Sequence, residues 1–194
     1  MKDILFDTPL WIVAGLALVG IALFVVGNNR TDVTLRNVGL GVVGVGVLLV
    51  LLSWFVDTDK EKCLKNTRAL VKSVQDRDWT KFDQLVASNV TVRVPVAGTI
   101  YKSRDTLHKA TETAAEKFGL RNNTVLSTQA VDTGDFIKVG ISVLSEGSVG
   151  YPLTTSWEME WQDGSAGWQM TDLNAIKIGN QTGADMEQHF PNVK

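Results

Sequence analysis

Apolar positions divide the chain near residue 56. Leu10 to Gly27 and Val38 to Val56 are runs of 18 and 19 residues without a charge, each close to the ~20 residues that cross ~30 Å of hydrocarbon as a helix. On an insertion scale of roughly −0.3 to −0.6 kcal/mol per Leu, Ile, Phe or Val, the first run alone favours a bilayer by about −3 to −7 kcal/mol. The pattern therefore predicts a transmembrane hairpin over 1–56, with spans at about 9–27 and 38–56. The polar stretch from Asn28 to Asn37 forms its loop, and both termini lie on one side. Asp7, Thr8 and Pro9 suit a helix start, and Trp11 and Trp54 suit interfacial positions. Gly15 and Ala22 on the first helix, and Gly39 and Gly46 on the second, are spaced seven apart as packing notches.

Beyond residue 56 the periodicity changes. Leu64, Thr67, Leu70, Val71 and Val74 recur at helical spacing, predicting a helix from Thr58 or Asp59 to about Asp76. A short helix over Asp78 to Ser88 follows. Val90, Val92, Val94 and Val96 then alternate with polar residues, a strand whose Pro95 suggests a sheet edge. Ser103 is placed to cap a helix from Arg104 to Phe118, and Gly119 to end it. Four strands come next, over 123–131, 136–144, 153–162 and 168–178, joined by turns such as Thr133-Gly134-Asp135. Residues 180–194 read as a polar tail. The layout is α+β: three helices packed on a curved antiparallel sheet, in a domain spanning 57–179.

Charge and cysteine narrow the chemistry. A formal net charge of −2 with no basic stripe argues against a nucleic-acid partner. Counting only Lys and Arg near the spans gives a weak cytoplasmic lean for the aqueous domain. Cys63 is the sole cysteine, so neither an intramolecular disulfide nor a cysteine-based zinc site can form. The two histidines, His108 and His189, are too far apart in sequence to suggest a metal site. Neither a metal nor a cofactor is expected. Gly39-Leu40-Gly41-Val42-Val43-Gly44 has the letters of a dinucleotide fingerprint but sits inside an uninterrupted apolar run, with no strand before it.

Three features from Asp59 to Gly179 carry a resemblance: the Arg77-Asp78-Trp79 step with Phe82 and Leu85 behind it, Gly98-Thr99-Ile100-Tyr101 leading into Ser103-Arg104-Asp105, and the Trp157-x-Met159-x-Trp161 to Trp168 hairpin. On these the domain resembles the NTF2-like (SnoaL, cystatin-like cone) superfamily. With two apolar runs in front, the chain is similar to uncharacterised bacterial membrane proteins that carry such a domain. The resemblance implies a cone that holds a small apolar ligand or an active site in some members and is only a scaffold in others. Enzymes of this shape need an acid or base and an oxyanion donor in the pocket. No such set maps here, and no catalytic residue is assigned. The pocket candidates are Tyr101, His108, Trp157, Met159, Trp161 and Asp172, the last alternating in step with Trp168 and Met170. The expectation is a membrane-anchored, non-enzymatic module that meets a partner protein, or a second copy as a homodimer, through the sheet face bearing Thr154, Ser156 and Glu158. The rivals are an apolar ligand carrier or cone-pocket enzyme, and an accessory subunit of a larger membrane complex.

Overall fold

The computed structural model describes residues 10–55, 58–148, 151–183, 185, 186 and 190, with side chains over all of these except 10–13 and 49–55. The chain divides into two compact units, residues 1–58 and 59–194.

The first unit is a pair of helices, α1 (Leu10–Asn29) and α2 (Val33–Phe55). The ten-residue loop expected between them is a three-residue turn. Thr31 adopts φ 54°, and Asp32 caps α2 by accepting from the amides of Thr34 at 2.9 Å and Leu35 at 3.1 Å. The helices approach through glycine, at positions partly different from those expected. A Cβ on Gly39 would stand 2.5 Å from the backbone N of Phe24, and one on Gly27 2.5 Å from that of Arg36. A Cβ on Gly20 would stand 2.7 Å from the Val43 side chain and 3.0 Å from the Gly39 carbonyl oxygen. Gly15 and Ala22 are exposed, and a Cβ on Gly15 or on Gly46 meets no described atom within 4 Å.

α1 ends in Asn28 and Asn29, and α2 carries Arg36 and Asn37 near its start. Among the described residues no helix is long and apolar enough to cross a membrane. This overturns the expected integral membrane location with two spans, and the expected likeness to membrane proteins finds no support. Leu18, Leu40 and Leu48 are nonetheless more than half exposed. The interfacial role assigned to Trp11 and Trp54 rests on side chains outside those described.

The second unit begins with α3 (Asp59–Asp76) and α4 (Trp79–Leu85). α3 buries Cys63, Thr67, Leu70 and Ser73. The two hydroxyls on this face are satisfied by the helix itself, Thr67 donating to the Cys63 carbonyl and Ser73 to that of Leu70, both at 2.8 Å. Arg77 closes the α3–α4 corner at φ 60° and donates to the Ala115 carbonyl at 2.9 Å. Asp78 caps α4 through the Lys81 amide.

The chain continues as β1 (Val86–Val94), β2 (Gly98–Tyr101), α5 (Arg104–Lys117), β3 (Asn122–Asp132), β4 (Ile137–Glu146), β5 (Leu153–Gly164) and β6 (Gly167–Ile178). Ser103 caps α5 as expected, accepting from the Thr106 amide. The short helix ends earlier than its sequence suggests, because Val86 already enters the sheet. The six strands are ordered β2-β1-β6-β5-β4-β3. Two expectations change here. The sheet is mixed, since β1 runs parallel to β6, and β1 lies inside it, leaving β2 and β3 at the edges. Pro95 sits beyond the end of β1, so it removes no ladder hydrogen bond.

The core collects Phe82, Val86, Val90, Val92, Val139, Ile141, Met159, Trp161 and Met170 between the sheet and the helices. β6 is bulged: Glu160 faces Asp172 and Trp161 faces Met170, so Thr171 is an extra residue. A second irregularity falls between Ser156 and Trp157. Such bulges increase local twist and bend the strand, and here they curve the sheet around the helices. The stretch expected as a polar tail contributes fully buried Met186 to a smaller cluster with Val94, Ala175 and Ile178.

Candidate functional site: an apolar cavity in the cone

The curved sheet and the helices enclose an open cavity of about 460 Å³, within the ~300–1,000 Å³ range of small-molecule sites. Its helical wall is made of small and branched side chains, Val71 and Val74 from α3 and Ala110, Thr111 and Ala114 from α5. The sheet wall brings Val143, Trp157, Met159 and Leu173. Short alanines opposite large aromatics leave space that two rows of leucines would have filled. Phe190 closes on the sheet side, edge-on to Tyr101 at 6.3 Å and to Trp157 at 6.1 Å between ring centroids.

None of the described lining residues is Asp, Glu, Lys, Arg or His. Polar atoms are few, and several are already engaged. Thr111 donates to the Leu107 carbonyl at 2.7 Å, and the Trp157 indole donates to the Thr155 hydroxyl at 2.9 Å. Burial pushes the Tyr101 phenol above its usual value, so it stays neutral. Asn123 is different: it is a lining residue whose side-chain oxygen is buried without a hydrogen-bond partner among the described residues. Leaving such an acceptor unpaired costs about 1–3 kcal/mol.

Of the six expected pocket residues, Tyr101, Trp157 and Met159 line the cavity; His108, Trp161 and Asp172 are absent from its lining. His108 faces away, between α4 and α5. Its Nδ1 lies 3.0 Å from Asp83 Oδ1, and its ring stacks on Trp79 at 5.0 Å. Trp161 is fully buried in the closed part of the core, and its indole N–H has no partner among the described residues. Asp172 is buried on the opposite face of the sheet. It accepts from the Thr91 hydroxyl and pairs with Arg93 at 3.0 Å. The cause is the extra residue Thr171, which reverses the alternation after Met170 so that Met170 and Leu173, three apart, both face the cavity.

That opposite face carries the surface expected to meet a partner. Its charges and hydroxyls pair among themselves: Lys138 with Glu158 at 3.0 Å, and Ser142 with Ser156 at 3.0 Å. The Glu158 bond holds the Lys138 ammonium above its ordinary value. A second, surface depression near Asn66, Asp83 and Arg104 is polar, and its groups largely bond to its own walls, Asn66 to the Trp168 carbonyl and Arg104 to that of Asp83. Among the described residues no group of three or more His, Cys, Asp or Glu is arranged to hold a metal ion.

Sequence reasoning missed Ala110, Asn123 and Phe190, and it placed Ala114 on the inward side of α5 without naming it a pocket residue. The alanines carried a signal, since two small residues four apart on one face of α5 mark a shallow wall. Met186 and Phe190, also four apart, break the polar character of the tail. Asn123 had no distinguishing pattern, because a polar residue at a strand start is ordinary.

No protein-family model and no curated protein matches the sequence. Solved structures do. An NTF2-like protein from Cytophaga hutchinsonii superposes with a TM-score of 0.52 at 15% identity, over 61% of this chain and 98% of its own. A protein with a cystatin-like fold from Nostoc punctiforme gives 0.52 at 11% identity, over 64% and 96%. The CaMKII hub of S. rosetta gives 0.50 at 20% identity, over 62% and 97%. These likenesses establish the fold: the second unit is an NTF2-like, cystatin-like α+β cone.

Proposed function

We propose that the cone binds a small, mostly apolar molecule in its cavity. The observation that carries this reading is an open space of about 460 Å³ walled by uncharged, largely apolar side chains. A compact core of this size would close such a space, because unfilled volume forfeits dispersion contacts along its whole lining. Without a described carboxylate or imidazole in the lining, the site favours holding a molecule over moving its protons. The self-paired charges of the opposite sheet face also shift weight from the partner-binding reading to the ligand-binding one.

A bicyclic aromatic that buries ~250 Å² of apolar surface gains about 6 kcal/mol, a dissociation constant on the order of tens of micromolar. The test is titration of the full-length protein with the neutral dye N-phenyl-1-naphthylamine, read by its fluorescence. Saturable binding is expected to be lost in Ala110→Phe, which fills the helical wall. It should stay within about twofold in His108→Ala and Asp172→Asn, which lie outside the lining. Dye uptake indifferent to Ala110→Phe would place binding elsewhere and end the proposal.

A further inference from the structure

Resting on that reading, we propose that the cavity takes one elongated apolar chain and that Phe190 is the residue that sets the chain's length. The shape of the space comes first. Its lining draws on every strand of the sheet, with Tyr101 from β2, Val92 from β1, Leu173 from β6, Trp157 from β5, Val143 from β4 and Asn123 from β3. Neighbouring strands stand ~4.8 Å apart, so a lining shared by all of them is drawn out across the sheet. A volume of about 460 Å³ spread over that course suits an extended chain better than a globular molecule.

The two ends of the space differ. Tyr151, on the β4–β5 connection, belongs to the lining and is 90% exposed, which marks where the cavity meets solvent. Tyr101, on edge strand β2, is only 6% exposed and closes the other end.

Phe190 stands before this closed end. Its ring meets Tyr101 and Trp157 edge-on, at 6.3 and 6.1 Å between centroids, and so fills space between the β2 and β5 walls. Both partner rings are fixed by the sheet. Tyr101 pairs with Val92 across the β1–β2 ladder, and the Trp157 indole donates to the Thr155 hydroxyl at 2.9 Å. Phe190 comes from outside the sheet, four residues after Met186, which is fully buried with Val94, Ala175 and Ile178. It packs against both that small cluster and the main core, and Ile178 itself lines the cavity. Removing the Phe190 ring therefore lengthens the cavity towards the small cluster without altering a strand, and a larger ring shortens it.

The experiment displaces N-phenyl-1-naphthylamine from the full-length protein with straight-chain primary alcohols from hexanol to tetradecanol. In the wild type, affinity is expected to rise about fourfold per buried methylene up to one chain length and then to stop rising, where the chain end meets Phe190. Phe190→Ala is expected to move that limit to a longer alcohol and Phe190→Trp to a shorter one. A merely structural role for Phe190 would weaken all the alcohols alike and leave the limit in place. Should Phe190→Ala fail to fold, Phe190→Trp decides alone. An unmoved limit in either folded variant, or affinity that climbs without a limit through tetradecanol, overturns the proposal while leaving the cavity reading intact. Alcohols that fail to displace a bound dye overturn the elongated occupant. A dye that does not bind the wild type at all removes the cavity reading itself.

Discussion

Replacing Ala114 with leucine separates an open cavity from a filled interior, because the two predict opposite signs. Ala114 lies near the end of α5 and lines the cavity, and leucine is nearly as good a helix former as alanine. Three added carbons placed into apolar space gain about 2.4 kcal/mol at ~0.8 kcal/mol each. Ordering the leucine side chain costs about 0.5–1 kcal/mol. The net expectation is a gain of about 1.5 kcal/mol in stability. Were the space already filled, overpacking would instead cost about 1–3 kcal/mol. Urea unfolding of the full-length chain, followed by tryptophan fluorescence, reads the difference. With a denaturant slope of ~2 kcal/mol/M, the midpoint rises by about 0.7 M. Naphthylamine dye affinity should fall about tenfold in the same variant, since the leucine occupies the ligand's place. A lowered midpoint with unchanged dye binding would refute both the cavity and its assignment as the site.

Two further outcomes follow from other parts of the molecule. Burial, and then the nearby Asp59 carboxylate, push the Cys63 thiol from 9.0 up to about 12. The folded state therefore keeps this proton where the unfolded chain loses it, and the stability it contributes is complete below pH ~9 and is lost as pH rises towards ~12. Stability of Cys63→Ala should decline less steeply than wild type across that window in urea titrations, and parallel declines would contradict the burial argument. In the helical pair, Gly39→Ala puts a Cβ 2.5 Å from the Phe24 backbone, whereas Gly41→Ala meets no described atom within 4 Å and gains about 1 kcal/mol of helix propensity. Trypsin cleavage after Arg30, in the α1–α2 turn, should be faster in the first variant and slower in the second. Equal rates would mean that close approach at Gly39 does not hold the pair together.

Local patterns alone were enough to place most elements, because their causes are local. Ser103 caps α5 through an amide three residues away, and Gly119, at φ 55°, follows it where a left-handed residue suits a helix end. The alternation of Ile137, Val139, Ile141 and Val143 is a property of one strand, and all four are buried as that alternation requires. From such elements the α+β cone was legible, down to the contribution of Tyr101, Trp157 and Met159 to one face.

What the tertiary structure decided involves partners distant in the chain. The parallel pairing of β1 with β6 joins segments some eighty residues apart, and neither strand's own pattern records the direction of its neighbour. Asp172 went to the outer face because a single inserted residue, Thr171, reversed the alternation, and a bulge is set by ladder geometry. His108 turned away from the cavity because Asp83 and Trp79, on a different helix, hold its ring. The two apolar runs show the same division: their helical state was plain from composition. Among the described residues, however, no helix is long and apolar enough to cross a membrane. The cavity itself is the furthest from the sequence. It exists where small side chains on α5 stand opposite large ones on β5, and empty volume is a relation between walls that no single segment encodes.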